Sequence, residues 1–564
     1  MVLSKHIDAL KLESTILKNT PQAKLVKEQF IDAYDSHTNI PQYEIPNESS
    51  SEQLIYKYLS QELALDGNPT LNLASFVNTY VNDSSLRLIN DNLTKNLADN
   101  DEYPSLIDVQ TRCISILSNL WHAPYKLDPV TGNKVTNSIG TATTGSSEAI
   151  MLAGLALKKR WQLRRKAEGK STANPNILMA TCAQVALEKF AVYFDVENRL
   201  IPINEKSGHL IDVSKIKENI DENTIGIFVI MGSTFTGAFE PVEQISNLLD
   251  EVEKETGLDI RIHVDGASGG FVAPFIFPHL KWDFAIPRVD SINTSGHKFG
   301  LTSVGLGWVI WKDSSLLPKE LRFSLDYLGG VEETFGLNFS RPGYPVITQY
   351  YNFLTLGRQG YAKVFDSCMT NARLLSTYLE ASKYFEVLSV IHHKLTPEEK
   401  KHKFTREVDD KHLDSKLYTI NEDFQPGLPV VAFRFSKELR NEYPELPQEL
   451  FSSLLRKRGY IVPNYHLPPN EKDVEVLRVV VRNSLSLNLL EKLIEDATET
   501  VELLIRAAES VKEVVAKENP HSEKENRETV HRLLAVIASG GVAEVKEEQE
   551  KAGKHPNKKE GHVC

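Results

Sequence analysis

The chain has 564 residues, 41% hydrophobic and 25% charged, with a formal net charge of −12. That length exceeds one core and suits two or three domains, and the balance is that of a soluble globular protein. An acidic total with both signs mixed along most of the chain argues against a nucleic-acid partner, which needs a basic face.

Residues 1–70 are polar and mixed, with a Ser-rich joint at PNESSSEQ and a helical pattern in SEQLIYKYLSQEL. The first twenty residues lack the apolar core of a secretory signal, and no later run approaches the length of a membrane span. From LNLASFV the text becomes globular and is read as a large domain over 71–368. PSLIDVQTRCISILSNLWHA carries apolar residues at helical spacing. TATTGSSEAIMLAGLALKKRWQLRRKAEGK opens on Gly145, Ser146 and Ser147 and continues in helix formers. NILMATCAQ, IGIFVIMG, IRIHVDGA and GLGWVIWK read as short apolar strands alternating with helices such as PVEQISNLLDEVEKETG. Strand–helix alternation predicts an α/β fold with a largely parallel sheet.

A smaller C-terminal domain is placed at 369–515, with strands in LPVVAFRF and VEVLRVVV. It carries a charged surface insertion at about 392–415, where His392 and His393 are read as exposed loop residues rather than metal ligands. Residues 516–564 are Lys/Glu-rich and predict a mostly disordered tail with one short helix, RETVHRLLAVIAS. Cys113, Cys182, Cys368 and Cys564 are scattered without metal-type spacing. A reduced, cytoplasmic protein with no metal and no membrane or nucleic-acid partner is expected.

In IRIHVDGASGG an apolar run leads to Asp265 and a Gly/Ala/Ser turn. A carboxylate at the carboxyl end of a parallel strand faces the crevice where such sheets bind ligands; alone, it reads equally as a turn-initiating acid. A second strand-like piece then leads to Lys298 in SINTSGHKFG. A lysine amine holds an aldehyde as a Schiff base. Pyridoxal phosphate needs that lysine and a carboxylate facing its pyridine nitrogen. Gly145, Ser146 and Ser147 at a helix start offer the phosphate site, although alone they read as an ordinary serine N-cap. Gly296 and Gly300 are read as letting backbone approach a flat cofactor.

Together with HVDGASGGFVAPF, SGHKFG, GWVIW, DYLGG, NFSRP and DENTIGIF, these segments resemble the glutamate decarboxylases of the pyridoxal-phosphate-dependent group II family. The resemblance spans about residues 50–500, and the insertion and tail resemble a eukaryotic, fungal-type member. It implies a fold-type-I, aspartate-aminotransferase-like architecture. The large domain would hold a mostly parallel seven-stranded sheet with helices on both faces, beside a smaller α+β C-terminal domain. Carried over by position, Lys298 forms the Schiff base and Asp265 keeps the ring nitrogen protonated. Ala267 lies beneath the ring, Gln184 covers its other face, and Thr234 lies beside it. Ser146, Ser147, Ser295 and His297 hold the phosphate, with Ser340 of the partner subunit reaching it. Ser75 and Phe76 meet the distal carboxylate of the substrate, Asn96 and Asp99 close that pocket from a partner chain, and Arg478 grips the α-carboxylate. On its strand Arg478 has a simpler reading, pairing with a buried acid. Glu188 departs from the pattern, standing where bacterial members carry histidine.

The implied reaction converts L-glutamate to 4-aminobutyrate and CO2 through an external aldimine and a quinonoid, reprotonated by Lys298 or His297. Another pyridoxal-phosphate-dependent amino-acid decarboxylase, or a cofactor-binding protein without turnover, are the alternatives. Residues shared across an interface imply a homodimer or a higher oligomer. Plant members carry a calmodulin-binding tail; this tail, without Trp and rich in acids, argues against that partner.

Overall fold

The computed structural model describes residues 43–325, 332–408 and 415–518, with the short pieces 29–30, 38–39 and 530–531. The chain divides into two units, 1–68 and 69–564. In the first, Gln29–Phe30 pairs antiparallel with Thr38–Asn39, and the expected helix spans Glu52–Leu63.

The second unit is organised by a seven-stranded sheet. Its strands are β1 Ile139–Thr143, β2 Asn176–Ala180, β3 Glu197–Ile201, β4 Thr224–Ile230, β5 Ile262–Asp265, β6 Val289–Thr294 and β7 Gly307–Trp311. Their order is β1-β7-β6-β5-β4-β2-β3. Only β7 runs against its neighbours; every other pairing is parallel. A parallel return needs a long crossover, usually helical. The chain leaving β6 contains no helix before β7 and turns straight back beside it. That turn carries SGHKFG.

β2, β4, β5, β6 and β7 are buried along their whole length, as sheets covered on both faces require. β7 shows the two faces directly. Val309 and Trp311 join Ala149, Leu152, Ala153 and Ala156 of the helix Ser146–Ala167. Trp308 and Ile310 point the other way, into the main core with Trp121 and Phe271. The mostly parallel α/β fold read from the sequence is the fold observed.

Four further strands, β8 Phe385–Val387, β9 Val430–Phe435, β10 Asn464–His466 and β11 Glu475–Val480, form an antiparallel sheet in the order β8-β9-β11-β10. A long helix, Tyr344–Ala381, broken at Gly357 (φ 55°), leads into it, so residue 368 lies inside that helix. The segment before the large sheet also reaches this region. Leu73 O accepts the Val480 N–H at 2.8 Å, and Leu71 O accepts the Ile461 N–H at 3.0 Å.

The charged insertion is anchored. Its helix Pro397–Lys403 opens with a Thr396/Glu399 capping box. Beyond it, Arg406 pairs with the buried Asp283 at 2.6 Å and Thr405 bonds Glu243 at 2.8 Å. His392 is not an exposed loop residue. Its side chain is 4% exposed, and Nε2 lies 3.0 Å from Glu380 Oε2, closing the end of the long helix onto the loop. Glu380, His392 and His393 bring their donor atoms within 4.8 Å of one another. His392 Nδ1, however, is buried without a partner. Metal-bound imidazoles almost always give that second nitrogen an acceptor, so the contact is read as a hydrogen bond.

The expected tail lies outside the described residues beyond Glu518, apart from 530–531, and so does DYLGG. No helix among the described residues is long and apolar enough to cross a membrane.

Candidate active site

The carboxyl ends of β4, β5 and β6 and the start of the helix Ser146–Ala167 meet at a cavity of about 310 Å³. Asp265 is the last residue of β5 and lines it. Its side chain is 4% exposed, and Oδ1 accepts the Ala267 N–H at 3.0 Å and the Asn293 amide at 2.9 Å. The turn after β6 is stitched to the turn after β5. Ser295 N–H donates to Ala267 O at 3.0 Å, and Lys298 N–H to Ser295 O at 3.2 Å. Lys298 is half-buried and lines the cavity, with Nζ 5.4 Å from the centre of the Phe76 ring.

Gly296 and Gly300 serve the turn rather than the cofactor. A Cβ on either glycine would stand 2.7 Å from Gln349 Oε1. The clash in both cases is with protein on the side of the long helix, so these glycines let the lysine turn sit against it.

The N-cap of the helix Ser146–Ala167 is Gly145, which has no side chain to cap with. Ser146 is therefore the first helical residue, and the serine N-cap reading falls. Its hydroxyl meets Ser295 Oγ at 2.7 Å. The amides of this first turn precede any i−4 acceptor within the helix and suit an anion. His297, from the turn after β6, lies beside this helix start; a Cβ on Gly145 would lie 3.3 Å from its Cε1. His297 Nδ1 accepts the Leu306 N–H at 3.3 Å, so a neutral ring carries its proton on Nε2. Burial, then the neighbouring Lys298 charge, pushes its pKa from 6.5 down to about 4. Ser146, Ser147, Ser295, the first-turn amides and His297 Nε2–H thus make a donor set for a phosphate. With the Lys298 amine and the Asp265 carboxylate in the same cavity, the residues fit pyridoxal phosphate.

Gln184, Thr234 and Ala267 line the same cavity. Gln184 is the N-cap of the helix Val185–Tyr193, its side chain accepting the Ala186 N–H at 2.6 Å. Arg478, in the middle of β11, is 5% exposed and also lines the cavity. It donates to Thr234 O and, at 2.6 Å, to Ala74 O. It stands 5.0 Å from the Phe76 ring and 5.6 Å from the Tyr465 ring. The buried acid of the simpler reading is not there: among the described residues Arg478 has no carboxylate partner, and its Nε is buried without an acceptor.

Ser75 and Phe76 are held in place by a residue the sequence reading missed. Arg482 donates to Val77 O and Asn72 O, both at 2.7 Å, and to Pro69 O at 3.0 Å. The second arginine of VLRVVVRN was its signal. Asn78, whose N–H reaches His297 O at 2.8 Å, ties the same segment to the lysine turn. Glu240 was also missed. It is 2% exposed in the loop after β4 and accepts the N–H of Ile230, the last residue of that strand, at 2.6 Å and the Ile211 N–H at 3.3 Å. Burial pushes its pKa up to about 8. TGAFEPVEQ holds two glutamates, Glu240 and Glu243, and nothing in its pattern marks the first as buried.

Asn96, Asp99 and Ser340 do not line this cavity. Asn96 Nδ2 meets Ser340 Oγ at 3.3 Å, and Asp99 accepts the Glu102 N–H at 3.0 Å. Glu188 sits half-buried in the first turn of the helix Val185–Tyr193, also outside the cavity lining.

Residues 49–396 match the family described as the pyridoxal-dependent decarboxylase conserved domain. The chain is 48% identical to a Saccharomyces cerevisiae glutamate decarboxylase over 517 residues, covering 88% of this chain and 85% of that protein. It is 37% identical to an Aliivibrio fischeri glutamate decarboxylase, covering 87% and 95%. Among solved structures, Lactobacillus brevis glutamate decarboxylase superposes with a TM-score of 0.71 at 35% identity, covering 83% of this chain and 96% of that one. The Oryza sativa TDC solved with PLP and tryptamine shares the fold at 16% identity, with a TM-score of 0.60, covering 82% and 90%. By family match, by identity over most of its length and by fold, the chain belongs to the pyridoxal-dependent decarboxylases, and among them to the glutamate decarboxylases.

Proposed function

We propose that the protein is a pyridoxal-phosphate-dependent carboxy-lyase that converts L-glutamate to 4-aminobutyrate and CO2. When bound, pyridoxal phosphate supplies an electron sink for the pair left on Cα as CO2 departs. Ser146, Ser147, Ser295 and His297 would hold its phosphate, and Lys298 would hold its aldehyde carbon. Asp265 would pair with the ring nitrogen, and Ala267, Gln184 and Thr234, which line the same cavity, would enclose the ring.

The observation that carries the substrate reading is Arg478, a buried cation without a carboxylate partner among the described residues, in one cavity with Lys298. A substrate carboxylate supplies the missing anion. Ser75 and Phe76, fixed by Arg482, meet the other end of the molecule. Two anchors leave the carbon between them little freedom, which orients the bond that breaks. Cα must then take a proton. The Lys298 amine is the proposed donor, and His297 Nε2–H is the alternative.

Asn96 and Asp99 of the partner subunit are proposed to close the distal pocket and Ser340 of the partner subunit to reach the phosphate, in a cytoplasmic homodimer or higher oligomer. Their grouping outside this chain's own cavity supports that reading. The test of function is 4-aminobutyrate formation from L-glutamate with and without added pyridoxal phosphate, beside a panel of other amino acids. Faster release of CO2 from aspartate or an aromatic amino acid would replace the substrate, and none from any would leave a binding protein.

A further inference from the structure

Behind Asp265 runs a row of buried polar side chains that touches neither proposed substrate nor phosphate. His263 and Asp265 alternate on β5, and Ser291 and Asn293 alternate on β6, in a register that sets Ser291 opposite His263 and Asn293 opposite Asp265. His263 and Asn293 are wholly buried, and Ser291 is 1% exposed. Such a row is tolerated only if every member is hydrogen-bonded. Ser291 Oγ lies 2.8 Å from His263 Nδ1, His263 Nε2 lies 2.7 Å from Asn293 Oδ1, and Asn293 Nδ2 lies 2.9 Å from Asp265 Oδ1.

The polarity of this chain follows from its chemistry. An ionised carboxylate only accepts, so the Asn293 amide nitrogen faces Asp265 and its oxygen faces His263. His263 Nε2 must then carry the proton. Burial pushes the His263 pKa from 6.5 to about 4, so the ring is neutral and Nδ1 accepts from Ser291. Phe228, edge-on at 5.4 Å, closes the imidazole's apolar side. Each donor therefore points towards Asp265, and aligned hydrogen bonds of this kind strengthen one another. Oδ1 is filled by Asn293 and Ala267. Oδ2 accepts from none of the described residues.

We infer that His263 and Asn293 are positioning residues, which lock the Asp265 carboxylate so that Oδ2 alone is presented to the ring nitrogen of the cofactor. This rests on the reading of Asp265 as that nitrogen's partner. The test is the nitrogen NMR shift of isotopically labelled pyridoxal phosphate in the reconstituted protein, followed against pH, with cofactor Kd measured in parallel. The wild type and His263→Gln, whose amide still donates to Asn293, should hold the ring proton alike. His263→Phe and Asn293→Ser should release it about one pH unit lower, roughly the tenfold weight of one net hydrogen bond, with cofactor Kd changed little. Asn293→Ser carries the test should His263→Phe fail to fold. Asp265→Asn is the control. If it releases the proton and the other variants do not, the positioning role is overturned while the Asp265 reading stands. If Asp265→Asn also leaves the shift unchanged, that reading falls, and this inference with it.

Discussion

Arg478→Met tests the substrate reading most directly. Methionine keeps much of the side chain's length and apolar contact with Phe76 and Tyr465, but removes the charge and every donor. A hydrogen bond to a charged group contributes about 1.5–3 kcal/mol. Losing a two-pronged grip on a carboxylate should therefore cost about 3–6 kcal/mol, which is roughly 10²–10⁴-fold in kcat/KM. The same change leaves Ala74 O and Thr234 O without their donor. That damage costs about 1–3 kcal/mol for each buried group left unpaired and appears as lower stability, not as a change in cofactor affinity. The assay is steady-state CO2 release from L-glutamate, with Tm and cofactor Kd on the same preparations. Arg478→Lys, which keeps the charge but loses the fork, should fall between. If Arg478→Met kept kcat/KM within about threefold of wild type while folding normally, the α-carboxylate would have to bind elsewhere, because no charged hydrogen bond is worth so little.

Lys298→Ala should abolish turnover and the visible absorbance of bound cofactor; a borohydride-reducible adduct on another lysine would refute the assignment. Aspartate should be a poor substrate. It is one methylene short, so with one carboxylate on Arg478 the other leaves buried partners unmatched at about 1–3 kcal/mol each; comparable kcat/KM for the two acids would defeat this. His297 and His263 both fold with pKa values near 4 against an ordinary 6.5. As pH falls, the unfolded chain therefore takes up protons first. Stability is complete above about 6.5 and is lost progressively towards about 4, by roughly 3 kcal/mol per histidine. Denaturant unfolding of cofactor-free protein at several pH values, with His297→Asn for comparison, checks this; parallel curves would refute it. Glu240 has the opposite sign. Its folded pKa, near 8, exceeds its ordinary 4.5, so its contribution weakens as pH rises between those values, and Glu240→Gln should flatten the alkaline decline.

Asp265 and Lys298 were legible in sequence because one ends a strand and the other sits in the turn after the next strand, each with a group whose chemistry is specific. The α/β alternation was legible because β2, β4 and β7 are continuous apolar runs. His263 and Asn293 were not. In IHVD and SIN, polar and apolar residues alternate, and alternation ordinarily signals a strand with one wet face. Here the polar row is buried because its members satisfy one another, and that pairing depends on a register between two strands that neither segment encodes. Local spacing alone points Gly296 and Gly300 at the cofactor, whereas their steric partner, Gln349, comes from a distant helix. The burial of His392 is hidden from the sequence for the same reason. Charged neighbours mark a surface, but Glu380, which covers it, belongs to the long helix.

The grip of Arg478 and Arg482 on residues 69–77 also governs how the enzyme is made. Ala74 and Arg478 are 404 positions apart. At roughly 5–20 residues per second of synthesis, roughly 20–80 s separate the appearance of Phe76 from that of the strand that fixes it. The large sheet, with Asp265 and Lys298, is complete well before β11 has left the ribosome. A nascent chain therefore presents the residues proposed to hold the cofactor first and those proposed to hold the substrate last. Through that interval Leu73 and Phe76 lack their final packing, exposing an apolar segment open to chaperones and proteases. A chain interrupted before Arg478 would keep the residues proposed for the cofactor yet lack the cation proposed to hold the substrate.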